Sequence, residues 1–213
     1  MVKIFYTEID RELSEPCFTS YLHLLPEGMR ASVTRYRNWK DRHLTLFGKL
    51  MLMQGLKHFP YNDLSLSSLK YSEYKRPYLD GCIDFNISHA GNYVVCVISE
   101  DIKVGIDIED LRPIELADFR EQYTEGEWEC ISTSGNRQVQ FFRLWTRKEA
   151  VIKADGKGLY MPLTEIGVMD NVVSIGDNNW YLMEIGISDT SIAHLATSAP
   201  VGPENIFKQK MNF

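Results

Sequence analysis

Each half of this chain carries one long stretch of helical periodicity followed by runs of strand pattern, and that double arrangement leaves few ways to bury both helices. Residues 40–58 place Leu44, Phe47, Leu50, Met51 and Gln54 at helical spacing, with Pro60 as the stop. Residues 85–88, 93–98 and 104–109 then read as strands, with His89-Ala90-Gly91-Asn92 between the first two. In the second half, residues 114–132 read as mostly helical. Residues 141–154 form a strong helix closed by Gly156 and Gly158, and 172–175, 180–185 and 192–197 read as strands. Lys3 to Thr7 adds an opening strand, while residues 74–78 and Asp80-Gly81 carry turn chemistry. The pattern predicts an α+β protein of two similar lobes, residues 1–104 and 105–213, joined near 100–106. Without a low-complexity linker, the lobes should pack closely.

Composition narrows the function. The 213 residues hold 23 Lys+Arg against 29 Asp+Glu, for a net charge of −6, with 44% hydrophobic residues. That is the balance of a soluble globular chain able to bury a core without disulfide or metal. An acidic total argues against a general nucleic-acid binder. The longest apolar runs, residues 50–53 and 93–98, fall far short of the ~20 residues of a membrane span. The N-terminus turns polar before a signal-peptide core could form, so a cytoplasmic protein is expected. Cys17, Cys82, Cys96 and Cys130 lack the spacing of a zinc site or disulfide framework and read as reduced thiols. The charge is uneven, however. Residues 29–49 hold six cations against Asp41 alone, a balance of +5 that leaves −11 elsewhere. The segment suits either an anion site or a solvated helix face.

Three segments carry chemistry. Asp107 and Glu109 lie two apart on an apolar strand, so their side chains share a face while Ile106 and Ile108 take the other. Paired carboxylates repel unless a proton or cation relieves them, and a hard cation such as Mg²⁺ suits carboxylate oxygens. Taken alone, the segment reads more simply as a solvent-facing edge strand with two ordinary acids. Glu149 and Lys153 stand at i and i+4 on the second long helix, the spacing of a surface ion pair. Were Glu149 to meet Asp107 and Glu109, three carboxylates would form a metal site with Lys153 beside it. Ser88-His89-Ala90-Gly91 follows a strand, where a histidine can bind an anion, act as a base or cap a turn. No G-x-S-x-G elbow surrounds Ser88, and Gly156-Lys157-Gly158 lacks the upstream glycine of a P-loop.

Taken together and in register, these segments resemble the 4′-phosphopantetheinyl transferases, in particular the long monomeric type that activates peptide synthetases. Residues 85–91 (Phe-Asn-Ile-Ser-His-Ala-Gly), 104–109 (Val-Gly-Ile-Asp-Ile-Glu) and 145–153 (Trp-Thr-Arg-Lys-Glu-Ala-Val-Ile-Lys) resemble the family's three motifs. Arg76-Pro77 and residues 123–128 are weaker matches. The resemblance implies two lobes related by a pseudo-twofold, with the site in the cleft between them. It also implies transfer of the phosphopantetheine arm of coenzyme A to a serine of an acyl or peptidyl carrier protein, releasing 3′,5′-ADP.

Residue by residue, the resemblance implies that Asp107, Glu109 and Glu149 hold Mg²⁺, with Mn²⁺ also fitting an oxygen-only site. Glu149 would take the serine proton, Lys153 would steady the pyrophosphate, and His89 would donate to a phosphate. Coenzyme A would also meet Lys40, Thr45, Arg76 and Ser88. Gly28 and Met29 stand where the family often has lysines, which leaves the 3′-phosphate grip to be found. Lys148 would bind phosphate or hold its helix. The carrier would dock on residues 111–128, unless Phe119, Tyr123 and Trp128 belong to the core. No nucleic-acid or membrane partner is implied. A non-catalytic module binding coenzyme A or a carrier is the rival reading, disfavoured because Asp107, Glu109, Glu149 and Lys153 are all present. A Mg²⁺-dependent phosphohydrolase would fit the acids alone.

Overall fold

The structure is a computed structural model that describes residues 1–61, 63–158 and 162–213. It is an α+β fold in which one topology occurs twice. In the first lobe, strand β1 (Val2–Glu8) leads into helices α1 (Glu15–His23), α2 (Glu27–Thr34) and α3 (Trp39–Leu56). A two-residue pair, β2 (Lys70–Tyr71) and β3 (Pro77–Tyr78), precedes the hairpin β4 (Ile83–Ala90) and β5 (Tyr93–Glu100). In the second lobe, β6 (Val104–Asp110) leads through a 3₁₀ segment (Leu116–Gln122) into α4 (Glu125–Thr133) and α5 (Arg137–Asp155). Strands β7 (Val172–Ile175), β8 (Asn178–Glu184) and β9 (Ser191–Thr197) follow. The sheet orders match: β1-β5-β4 in one lobe, β6-β9-β8-β7 in the other, with the opening strand antiparallel to the last hairpin strand in both.

The final strand was not legible in the sequence. Strand β10 (Ile206–Lys210) returns from the second lobe and pairs in parallel with β1, so the first sheet reads β10-β1-β5-β4. Its side chains are mostly exposed, so it carries no alternating apolar signature. Helices α1 and α2 were missed for a related reason: each is short and buries a single residue, Phe18 or Val33. The stretch expected as mostly helical, 114–132, divides at Tyr123, where Thr124 opens α4 with a capping box to Glu127.

Strand β5 reads as an unbroken apolar run because both its faces are covered. Val94, Cys96 and Ile98 face α3 and the first-lobe core, while Val95 and Val97 face a second cluster with Ile106, Ile108, Ala193 and Leu195. The two sheets thus pack on each other, with a helical layer outside each. The second lobe has its own core around Phe141, Phe142, Val151 and Trp180.

A hydrogen-bonded seam joins the sheet edges. Strand β6 is the edge of its sheet, so alternate backbone N–H groups lack a strand partner. Side chains at alternate positions of β4, the facing edge, accept them. Val104 N donates to Asp84 Oδ2 at 2.8 Å, Ile106 N to Asn86 Oδ1 at 3.1 Å, and Ile108 N to Ser88 Oγ at 3.4 Å. Arg76 bolts one end of the seam, donating to Asp84 Oδ2 (2.8 Å), the Val104 carbonyl (3.0 Å) and the Ala154 carbonyl at the end of α5 (3.2 Å). Gly156, at φ 86°, closes α5 in the left-handed conformation.

Gly105 sets how closely α5 lies on β6. A Cβ there would stand 2.2 Å from the Ala150 carbonyl oxygen and 2.3 Å from Ala154 N, both backbone atoms that cannot swing aside. Gly105→Ala should therefore push α5 off β6 and cost about 1–3 kcal/mol or more. Urea unfolding checks this, and a loss below about 0.5 kcal/mol would show that the helix shifts freely.

Candidate functional site

At the Ser88 end of the seam the lobes leave a cleft of about 320 Å³, lined by Ile87, Ser88, His89, Asp107, Ile108, Glu109, Trp145, Glu149 and Lys153. Three elements meet there. Strand β4 delivers Ser88 and His89. Strand β6 points Asp107 and Glu109 toward α5, as its period of two requires, and sends Ile106 and Ile108 into the core between the sheets. Helix α5 presents Trp145, Glu149 and Lys153 at successive i+4 positions on one face. The expected Glu149–Lys153 surface pair gives way to contacts across the cleft.

Asp107 is the centre of the arrangement and is only 4% exposed. Its Oδ1 accepts from Lys153 Nζ at 2.6 Å and from Ser88 Oγ at 2.9 Å. Lys153 Nζ also donates to Ser88 Oγ at 2.8 Å, closing a three-membered knot across both lobes. Asp107 Oδ2 is buried and has no hydrogen-bond partner. An orphaned carboxylate oxygen in that position calls for a cation or donor. Glu109 Oε2 accepts from Arg112 Nη1 at 3.0 Å. Loss of water raises the Glu109 pKa, with Asp107 adding to the rise and Arg112 opposing it. Burial raises the Glu149 pKa too, followed by repulsion from Asp107. The protein packed about His89, then the Lys153 charge, holds its pKa below the usual histidine value.

This donor set fits a hard divalent cation. Three carboxylates border one cleft, one with a spare buried oxygen and two whose charged forms are disfavoured until a cation arrives. As the side chains lie, however, no group of three His, Cys, Asp or Glu among the described residues is gathered closely enough to hold a metal. Asp107 is turned to Lys153 and Glu109 to Arg112.

Other expected site residues lie outside this cleft. Lys40 sits in the first turn of α3; its neighbour Asp41 acts electrostatically on His89, which places that turn near the mouth. Thr45 follows one turn later, half-buried. Arg76 is at the far end of the seam, where its terminal nitrogens are engaged by Asp84 and two carbonyls. A larger cavity of about 770 Å³ opens there, bordered by Tyr74, Tyr78, Asp155 and Lys157 as well as Arg76.

Lys148 is settled by its burial. It is 0% exposed and donates to Glu127 Oε2 (2.8 Å) and the carbonyls of Leu163 and Ile166 (2.7 Å each). Glu127, equally buried, also accepts from Thr124 N and Val168 N. The pair therefore keys α5 to α4 and to residues 163–168, and Lys148 has no access to a phosphate. Phe119, Tyr123 and Trp128 pack in the second-lobe core. Arg112 was missed by sequence reasoning, since nothing in its local pattern marks an arginine just beyond a strand as a partner of Glu109. The cysteines are free, as expected. Among the described residues no helix is long and apolar enough to cross a membrane.

Comparison with known proteins finds matches over most of the chain. Residues 12–101 match the family described as 4′-phosphopantetheinyl transferase, N-terminal, and residues 103–197 match the 4′-phosphopantetheinyl transferase superfamily. The chain is 32% identical over 176 residues to the 4′-phosphopantetheinyl transferase gsp of Aneurinibacillus migulanus, covering 80% of this chain and 73% of that protein. It is 30% identical over 181 residues to the 4′-phosphopantetheinyl transferase Sfp of Bacillus subtilis, covering 82% and 80%. The crystal structure of Thermotoga maritima holo-[acyl-carrier-protein] synthase aligns with 45% of this chain and 61% of its own at 20% identity, TM-score 0.38, too partial a likeness to bear on the lobes.

Two outcomes follow from the charges. Lys148→Met leaves the Glu127 charge buried without its cation, so it should cost about 3–5 kcal/mol in urea unfolding, while adding Glu127→Gln, which removes the charge but keeps an oxygen for Thr124 N or Val168 N, should recover part of that. Equal losses in the single and double variants would refute the pair's proposed energetics. Second, the raised Glu149 pKa means the folded state holds that proton more tightly than the unfolded chain. Stability from this group is present below the ordinary value of 4.5 and is lost as pH rises through the raised folded value. In EDTA, Glu149→Gln should melt above wild type at about pH 8, by on the order of 2–4 °C per 1 kcal/mol relieved, and the two should converge toward about pH 4. A constant gap across that range would show that the charge is not its cause.

Proposed function

The chain belongs to the 4′-phosphopantetheinyl transferase superfamily, and from that premise we propose that it transfers the 4′-phosphopantetheine arm of coenzyme A to a serine of an acyl or peptidyl carrier protein. The observation that carries this reading is the knot of Ser88, Asp107 and Lys153, with a buried, orphaned oxygen on Asp107, in a cleft that Asp107 lines together with Glu109 and Glu149.

The carrier serine oxygen attacks the phosphorus of the pantetheine phosphate. A new serine–phosphate ester forms, the pyrophosphate bond breaks, and 3′,5′-ADP leaves with the electron pair. Asp107, Glu109 and Glu149 would hold Mg²⁺, or Mn²⁺ in its place. That ion supplies neutralisation of the pyrophosphate and Lewis-acid polarisation of the reacting phosphorus. The chain's own groups do the rest. Lys153, fixed by Asp107 and Ser88, offers its ammonium to the charge that develops on the leaving phosphate. His89, kept largely neutral, donates one ring N–H to a phosphate oxygen. Glu149 accepts the serine proton, directly or through water. Trp145 and Ile87 form the apolar part of the lining and limit water.

In this reading residues 1–104 bind the coenzyme, using Lys40, Thr45, Ser88 and His89, and residues 105–213 carry the metal carboxylates. Arg76 would contribute through the seam it fastens. The protein acts as a cytoplasmic monomer with no nucleic-acid or membrane partner.

A panel of apo carrier proteins, incubated with coenzyme A and Mg²⁺, should gain the mass of one phosphopantetheine group each for those accepted. Asp107→Ala should lower the rate by about 100-fold or more with little change in fold by circular dichroism. Absence of any mass gain across the panel, with coenzyme A binding intact, would sink the transferase reading; release of 3′,5′-ADP without carrier modification would replace it with a hydrolase.

A further inference from the structure

The three cleft carboxylates are not equally available. Asp107 gives one oxygen to Lys153 and Ser88 and keeps the other free. Glu149 lines the cleft with its charge disfavoured by burial and by Asp107. Glu109 alone is taken by a solvent-facing cation: Arg112, three residues on, whose side chain is 55% exposed against 23% for Glu109. Arg112 makes two further contacts in the same position. Its guanidinium lies 5.3 Å from the centre of the Phe142 ring, and its Nη1 also reaches the Asp110 carbonyl at 3.4 Å.

From this geometry we propose that Arg112 is a resident counter-ion of the metal site, holding Glu109 in the metal-free protein and giving it up to an incoming divalent cation. The inference rests on the reading of Asp107, Glu109 and Glu149 as metal ligands and assigns a role to a residue outside that set. Two chain cations, Lys153 and Arg112, offset two of three clustered negative charges, so the cleft folds without a metal. Their positions differ in consequence. Lys153 is tied to Ser88 and Asp107 through the seam and stays, whereas the pair between the half-exposed Arg112 and Glu109 is worth little in water. A dication at the free Asp107 oxygen and Glu149 repels the guanidinium and competes for the Glu109 carboxylate. Arg112 then gives up Glu109 and keeps Phe142 and the Asp110 carbonyl, which it already contacts. This accounts for carboxylates that border one cleft without being gathered around one point. It also makes Arg112 a determinant of metal affinity, since every binding event must first break its pair with Glu109.

Titration of the full-length protein with Mn²⁺, followed by calorimetry or by the free-Mn²⁺ electron paramagnetic resonance signal without coenzyme A, tests this. Arg112→Gln should tighten Mn²⁺ binding by about two- to five-fold, the reach of an exposed ion pair. In a Glu109→Gln background, where the carboxylate Arg112 holds is gone, adding Arg112→Gln should leave the remaining affinity unchanged. Unchanged or weaker binding by the single variant overturns the proposal while leaving the metal reading intact. Equal tightening in both backgrounds overturns it as well, by reducing Arg112 to a distant positive charge. Wild-type protein that binds no Mn²⁺ overturns both readings together.

Discussion

The exposed edge of β6 is the constraint on which the rest of the molecule depends. A strand edge leaves alternate backbone N–H groups unmet, and burying them between two lobes without partners would cost far more than the packing gains. Strand β4 meets them with a carboxylate, an amide and a hydroxyl at Asp84, Asn86 and Ser88. Because both strands repeat every two residues, this arrangement admits one register. A slip of two would leave a donor bare and move Ser88 away from Asp107. The seam therefore does more than join two lobes: it determines which side chains face each other at the mouth of the cleft.

The same economy explains the division of charge. The buried pair of Lys148 and Glu127 in the second lobe is fully hydrogen-bonded and serves to lock α5 in rotation. Charges in the cleft are paired only in part, with one Asp107 oxygen left over and the Glu109 and Glu149 pKa values raised. Adjacent residues of one helix thus have opposite duties. Lys148 points into the core and is saturated; Glu149, about 100° further round the helix, points into the cleft and is not. Gly105 completes this arrangement by letting the helix backbone lie close against β6, which brings Glu149 and Lys153 within reach of Asp107.

Much of this was legible because periodicity reports burial. The alternation of Ile106, Asp107, Ile108 and Glu109 announced a strand with two chemically distinct faces, and the structure has one face in the inter-sheet core and the other in the cleft. The long helices were visible for the same reason. What escaped notice was structure whose side chains carry little burial signal. Strand β10 is held by backbone pairing to β1 and is mostly exposed, and α1 and α2 bury a single residue each. Arg76 shows the limit from the other side: nothing along the chain announced that its guanidinium ties together Asp84 and the carbonyls of Val104 and Ala154.

The sequence by itself determined the α+β class and the repeated order of helix and strands, since local periodicity is written along the chain; that Asp107, Glu109, Glu149 and Lys153 share one site was implied only by the resemblance of their motifs to a known family. Only the tertiary structure decided which partners those groups take. Lys153 could have paired with Glu149 one turn away, yet it crosses to Asp107 and Ser88. Lys148 could have reached a ligand, yet it is sealed against Glu127, and Arg112 carried no mark until it was found holding Glu109. Charged side chains are long and their interactions act over several ångströms in any direction. Their pairing is therefore set by which elements the fold brings together and by the water it removes, and neither quantity can be read from neighbours along the chain.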